Sequence, residues 1–187
     1  QARRWFYTLM VIGTALFDQA PFRNVVVNGL VLAEDGKKMS KRLGNFKDAR
    51  DLIREHGADT LRIYLLSSSA TMGESFRFTE KDMVKQYRRL IPYQNAVVFW
   101  KDYGKGLKGT ESLGCEIDKW ILNEIDELER AVFLHMESYE VKNALDRLLG
   151  FVDILCNKYI RFMRDRIKEN GSGILWSILR RYTLLLT

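Results

Sequence analysis

The sequence predicts a mainly α-helical protein that opens with a short α/β segment. Apolar residues recur at helical spacing over most of the chain beyond residue 80. The β-branched run Asn24-Val25-Val26-Val27 and the apolar triplet Leu30-Val31-Leu32 are confined to the first quarter. Hydrophobic residues make up 47% of 187, enough to close a core rather than leave a solvated tail.

In chain order, Trp5 to Phe17 is apolar on nearly every side, which predicts a buried helix. Gln19-Ala20-Pro21 ends it. Asn24 to Val27 has the composition of a buried strand, Leu30 to Leu32 gives a second, and Asp35-Gly36 signals a turn. Asp48 is placed to cap a helix through Glu55, with Asp51 completing a capping-box variant and Gly57 stopping it. Asp59 then caps a helix over Thr60 to Leu66. The pattern from Met83 to Tyr103 predicts one helix kinked at Pro92. Gly104 to Gly114 holds four glycines and no periodicity, the composition of a surface connection. Ile117 to Met136 and Val141 to Ile167 are helical, Gly171-Ser172-Gly173 is a break, and Ile174 to Leu186 opens a last helix.

Composition excludes several classes. Cys115 and Cys156 stand far apart, and His56 and His135 lie nowhere near them in sequence, so no metal-ligand spacing exists. A disulfide scaffold is equally excluded, and a reducing compartment fits. No apolar run approaches the ~18 residues that a membrane helix needs. The start at Gln1 and the apolar end at Tyr182 to Thr187 give the expectation of a piece of a longer protein. The net charge of +6 is unevenly spread. Residues 1–110 carry 19 basic and 11 acidic side chains, residues 111–156 carry 4 and 11, and residues 157–187 carry 7 and 2. Two basic ends around an acidic middle offer two contact regions to a polyanion.

Four cations fall within six residues of the loop Lys37-Lys38-Met39-Ser40-Lys41-Arg42, which lies between Gly36 and Gly44. Ammonium groups on a loop suit a polyphosphate, because each is a compact donor able to follow phosphate oxygens as they separate. Ser40 adds a hydroxyl. The glycine-rich cradle Gly-x-x-x-x-Gly-Lys is absent.

The order of these residues carries more. Lys38-Met39-Ser40-Lys41-Arg42 resembles the Lys-Met-Ser-Lys-Ser signature of class I aminoacyl-tRNA synthetases, and the flanks Asn28-Gly29-Leu30-Val31-Leu32 and Leu43-Gly44-Asn45 match too. Gln1-Ala2-Arg3-Arg4-Trp5-Phe6-Tyr7-Thr8-Leu9 is similar to the Gln-Thr-Arg-Gly-Trp-Phe-Tyr-Thr-Leu segment of isoleucyl-tRNA synthetases, closer to their eukaryotic and archaeal branch. Gly57-Ala58-Asp59-Thr60-Leu61-Arg62, Asp118-Lys119-Trp120-Ile121-Leu122 and Asn157-Lys158-Tyr159-Ile160-Arg161 look like later segments of that family, in the right order. Departures are Ala2 and Arg4 for Thr and Gly, Arg42 for the last signature Ser, and Lys158 for an aromatic. The family's His-Ile-Gly-His signature and its hydrolytic editing domain are not among these residues.

The resemblance implies a remnant of an α/β Rossmann-like nucleotide-binding fold followed by an α-helical bundle. Residues 1–47 would close the catalytic domain, 48–110 would form the stem-contact helical region and connection, and 111–187 would begin the anticodon-binding domain. It implies a fragment, inactive alone, of a cytoplasmic and monomeric ligase that joins isoleucine to tRNA(Ile) with ATP and Mg²⁺. Lys38 and Lys41 would be catalytic. Asn28, Gly29, Val31, Met39, Ser40 and Lys41 would bind ATP, with Gly29 small enough to let the adenine approach. Gln1 and Trp5 would meet isoleucine. Lys158, Arg161, Arg164 and Lys168, at helical spacing, would meet tRNA phosphates. No metal site, membrane or DNA partner is implied. Two rival expectations are a helical module that only binds tRNA and a valyl relative with a smaller pocket; the Trp-Phe-Tyr-Thr-Leu segment argues against the second.

Overall fold

The computed structural model describes residues 5–45, 47–104 and 115–187, and helices carry most of them. After α1 (Tyr7–Phe17) come a two-residue strand β1 (Val31–Leu32), α2 (Ala49–His56), α3 (Ala58–Ser67), β2 (Phe76–Arg77), α4 (Glu80–Tyr87) and α5 (Ile91–Phe99). Four further helices follow: α6 (Glu116–Glu137), α7 (Val141–Asp153), α8 (Arg161–Asn170) and α9 (Gly173–Leu186). The glycine-rich connection lies, beyond Gly104, outside the described residues.

Local chemistry sets the helix ends. Asp48 Oδ1 accepts from the Arg50 N–H at 2.9 Å, Thr79 Oγ1 from Asp82 at 3.3 Å and Ser172 Oγ from Leu175 at 3.0 Å, each satisfying an orphan donor of a first turn. Gly57, at φ 86°, ends α2 and immediately starts α3. That position displaces the cap expected at Asp59: the helix begins at Ala58, and Asp59 sits in its first turn, paired with Arg62 at 3.2 Å.

Two other expectations need correction. The segment 83–103 is not one kinked helix. It divides into α4, a 3₁₀ turn over Arg88–Leu90, α5 and a π-helical turn over Trp100–Gly104. Pro92 falls in the first turn of α5, where no N–H is required of it, so it starts a helix instead of bending one. The run Asn24 to Val27 forms no strand, and Val25, Val26 and Val27 are exposed. A buried strand needs sheet neighbours and covered faces, and among the described residues this run has neither. For the same reason α1 is a helix as expected but not a buried one: Gly13 is its one buried residue.

Apolar side chains gather in two cores. The smaller holds Leu52, Tyr64, Phe78 and Met83, with Val31, Met39, Leu61 and Phe76 packed on it. The larger runs from Ile63, Leu90, Tyr93 and Ala96 through the inner faces of α6 to α9. α6 and α7 form a hairpin around residues 138–140, where Tyr139 takes φ 60°. α7 runs into α8 through a π-helical segment, Ile154–Ile160. Leu155, Tyr159, Met163 and Ile167 recur every four residues, a spacing that drifts around an α-helix; the wider π turn brings all four inward.

Inside this core Asp118, 1% exposed, accepts from the Tyr159 hydroxyl at 2.9 Å and from Arg166 at 2.8 Å. Burial first, and the Asp118 carboxylate second, hold the Tyr159 phenol above its ordinary pKa. Among the described residues no buried side-chain nitrogen or oxygen lacks a hydrogen-bond partner, and no helix is long and apolar enough to cross a membrane.

Candidate functional site

The signature loop hangs from a small parallel sheet. Val31 pairs with Phe76 and Leu32 with Arg77, through hydrogen bonds from Phe76 to Leu30 and from Phe78 to Leu32, both 2.9 Å. Before β1, Gly29 donates to Ala70 at 2.7 Å. A Cβ at Gly29 would collide with the backbone of Glu74. The missing side chain thus serves a backbone crossing of residues 29 and 74.

From β1 the chain turns tightly. Ala33 donates to the Lys37 carbonyl and Gly36 to the Ala33 carbonyl, both at 2.8 Å, with Gly36 at φ 78°. Asp35 Oδ1 accepts from the Lys37 N–H at 2.9 Å. Lys38 then bridges back to Leu32 in antiparallel fashion. Leu32 therefore lies between Lys38 and Arg77, and the pairing rules put these three side chains on one face. Ser40 is extended, Lys41–Leu43 makes a single 3₁₀ turn, and Gly44 closes it at φ 66°. Lys38, Lys41 and Arg42 are exposed, while Met39 and Ser40 are half-buried. Met39 packs on the smaller core and so anchors the cations on either side of it.

Two side-chain clusters that sequence reasoning left without a role support this loop. Asn45 accepts from the Ser40 N–H at 2.8 Å and donates to the Lys38 carbonyl at 3.3 Å. Beyond it Lys47 is ion-paired with Glu80, and Glu80 Oε1 lies 2.8 Å from His56 Nε2. His56 ends α2 and Glu80 begins α4, so both helices hold the outgoing strand of the loop. Glu55 completes a cluster whose ligand-type atoms lie within 4.8 Å of one another, and Lys47 already pairs with one of its two carboxylates, Glu80. A cleft of about 440 Å³ opens beside the loop, lined by Glu34, Asp35, Met39, Asn45, Lys47 and Glu80 among others. The flank Leu43-Gly44-Asn45 was the sequence signal for Asn45; nothing local in the sequence pairs Lys47 with a residue 33 positions on.

The remaining candidates lie elsewhere. Asn28 is exposed beside Gly29, and Val31 is half-buried in β1. Gln1 falls outside the described residues. Trp5 is 47% exposed at the start of the α1 region, its ring edge-on to Phe6 at 3.9 Å. Lys158, Arg161, Arg164 and Lys168 are all exposed. Arg164 lies 5.9 Å from the centre of the Phe99 ring and Lys168 5.4 Å from that of Tyr103, so these two cations border α5 and the π turn after it. Within the matched segment 157–161, Tyr159 turns inward to Asp118 while its neighbours Lys158 and Arg161 turn outward.

Comparison with known proteins adds a family. Residues 1–78 match the family described as tRNA synthetases class I (I, L, M and V), and residues 118–187 match the anticodon-binding domain of tRNA ligase. The isoleucine–tRNA ligase of Bdellovibrio bacteriovorus is 43% identical over 177 residues, which are 91% of this chain and 17% of that protein. The probable cytoplasmic isoleucine–tRNA ligase of Enterocytozoon bieneusi is 42% identical over 190 residues, all of this chain and 19% of that protein. The chain thus spans about a fifth of the length of these curated relatives. In fold it is similar to the leucyl enzyme of Agrobacterium radiobacter K84, solved in a ternary complex with tRNA and LeuAMS, with a TM-score of 0.68 at 19% identity over 97% of this chain and 23% of that one.

Proposed function

The chain belongs to the class I tRNA synthetases, in their isoleucine group, and from that premise we propose that it is the segment of an isoleucine–tRNA ligase that carries the pyrophosphate-binding loop and the first anticodon-domain helices. The observation that carries this reading is the loop itself: a tight hairpin between Gly36 and Gly44 presents Lys38 and Lys41 to solvent at a cleft, with Met39 pinned in a core between them.

In the intact ligase an isoleucine carboxylate oxygen attacks the α-phosphorus of Mg²⁺-bound ATP. The bond to the bridging oxygen breaks, and pyrophosphate leaves with that electron pair. Charge grows on the departing oxygens, so donors that engage them most strongly in the transition state raise the rate, whereas uniform ground-state binding does not. Lys38 and Lys41 are those donors and Ser40 assists. Asn28, Gly29, Val31 and Met39 hold the adenosine, and Gln1 and Trp5 face isoleucine. Residues 1–47 complete the catalytic domain, 48–110 meet the tRNA stem, and 111–187 begin the anticodon domain. There Lys158, Arg161, Arg164 and Lys168 meet phosphates. The ligase acts in the cytoplasm as a monomer. The chain alone forms no adenylate, because the family's signature histidines are not among its residues.

The test is isoleucine-dependent ATP–pyrophosphate exchange by the full-length ligase. Lys41→Ala lowers the activation rate by about 100-fold or more and leaves isoleucine affinity unchanged. Transfer from preformed adenylate to tRNA is spared, since pyrophosphate has already left. An alanine variant that keeps activation and loses only transfer would make Lys41 an RNA contact and overturn the assignment.

A further inference from the structure

We propose that Asn45 is a positioning residue for catalysis, a side-chain clamp that holds the backbone of Lys38-Met39-Ser40 in the shape that aims the loop cations at the leaving phosphates. The inference rests on the functional reading above for what the loop does, and on geometry alone for what Asn45 does.

The turn inside the loop is short. Its own backbone bonds, Leu43 to Ser40 at 3.2 Å and Gly44 to Lys41 at 3.3 Å, close only the 3₁₀ turn after Ser40. On the other side, Lys38 bridges back to Leu32. Neither contact spans Lys38 to Ser40. Asn45 does: its carbonyl oxygen accepts from the Ser40 N–H at 2.8 Å, and its amide donates to the Lys38 carbonyl at 3.3 Å. One planar side chain ties both ends of the tripeptide, and the peptide groups it fixes carry Lys38 on one side and lead into Lys41 on the other.

Asn is the residue the task requires. The amide offers an acceptor and a donor on one rigid plane. A carboxylate would still accept from Ser40 but would face the Lys38 carbonyl with no proton to give. The clamp also has a fixed base. Lys47, two residues on, is ion-paired with Glu80, whose carboxylate meets His56, so the chain just beyond Asn45 is tied to α2 and α4. Asn45 is half-buried at the cleft and needs no contact with substrate to act. Small displacements of aimed donors are costly in rate even when the donors themselves are intact.

Two measurements on Asn45→Ala test this. In the 187-residue chain, trypsin cleavage at Lys38 and Lys41 should quicken by about 10-fold while the unfolding midpoint stays unchanged, because the loop opens without the fold. In the full-length ligase, kcat for pyrophosphate exchange should fall by about 10- to 100-fold with the isoleucine KM unchanged. Asn45→Asp should lie between Asn45→Ala and the unaltered enzyme in both. Unchanged cleavage and unchanged kcat in Asn45→Ala overturn the proposal. So does a lowered midpoint with unchanged cleavage, which would make Asn45 an ordinary structural contact. If the unaltered ligase shows no isoleucine-dependent exchange, the functional reading falls, and the cleavage rates alone then decide the clamp.

Discussion

The first and last helices of the chain are both rich in apolar side chains, yet they sit in opposite surroundings. In α9, Leu175, Ile178, Leu179 and Tyr182 are each at most 2% exposed, packed in the larger core with α6 and α7. In α1, Leu16 is 69% and Phe17 71% exposed, and only Gly13 is buried. The contrast follows from how the apolar residues are arranged. α9 is two-faced: Arg180 lies outward while the positions at spacings of three and four lie inward. α1 is apolar on nearly every side, the pattern of a helix that needs cover all round. Apolar content therefore states a demand for burial, and pattern states from how many directions. Among the described residues nothing covers α1 on its outer sides, and this chain spans about a fifth of the length of the curated relatives it matches.

The largest effect that probes this contrast is truncation of matched leucines. Leu175→Ala removes a fully buried side chain of α9 from the larger core and should cost about 2–5 kcal/mol of unfolding free energy. Leu16→Ala, on the exposed face of α1, should change it by less than about 0.5 kcal/mol in this chain. Denaturant unfolding with a shared slope measures both. Equal costs would break the comparison. A larger cost for Leu16→Ala in the proposed full-length protein would sharpen it, by showing that residues beyond the described ones cover α1.

Much of the helical half was legible because its signals are local. Asp48, Gly57 and Gly171 punctuate the chain where the sequence predicts, and the apolar spacing of α6 and α7 places their inner faces, except that Met136 at the end of α6 is exposed. Errors arose where a local signal was answered by something distant or adjacent. Val25 to Val27 carry strand composition without sheet partners among the described residues. Asp59 was outcompeted as a cap by the glycine two positions earlier. Pro92 reads locally as an interruption, although a 3₁₀ turn ends the preceding helix before it. At the site, the cation loop was readable from six consecutive residues. Its supports, Lys47 with Glu80 and His56, were not, because that ion-pair chain joins three elements that only the fold brings together.

An intermediate effect separates cations with different tasks on α8. Arg166 bonds the buried Asp118 carboxylate, which Tyr159 also serves. Arg166→Ala and Tyr159→Phe should each cost about 1.5–3 kcal/mol, as expected for hydrogen bonds to a charged, buried acceptor. Arg164→Ala loses at most an exposed contact with Phe99, worth no more than about 0.5–1 kcal/mol. Unfolding titrations of the three variants rank them. Should Arg164 prove the costliest, the division between an inward, structural cation and an outward, exposed one fails.

The smallest effect measures how dry the edge of the bundle is. Cys156 is half-buried in the π-helical segment, beside a cleft of about 320 Å³ lined by Pro92, Ala96, Phe99 and Arg164. Burial first, and the Asp153 carboxylate second, push its thiol from 9.0 up to about 11. The folded state thus favours the neutral thiol. Its contribution to stability is fully present below the unfolded value and is lost as pH rises from 9.0 through about 11. Because the site is partly open to solvent, the loss should be no more than about 1 kcal/mol. Comparing unfolding free energies of the native chain and Cys156→Ser at about pH 8 and above pH 10 isolates this thiol, since the other titrating groups are common to both. In a Cys115→Ser background, alkylation of Cys156 by iodoacetamide should keep accelerating beyond pH 9 and reach half its maximum near about 11. A midpoint close to 9 would show water reaching the thiol freely, and the larger core would then hold Leu155 and Tyr159 and leave Cys156 outside it.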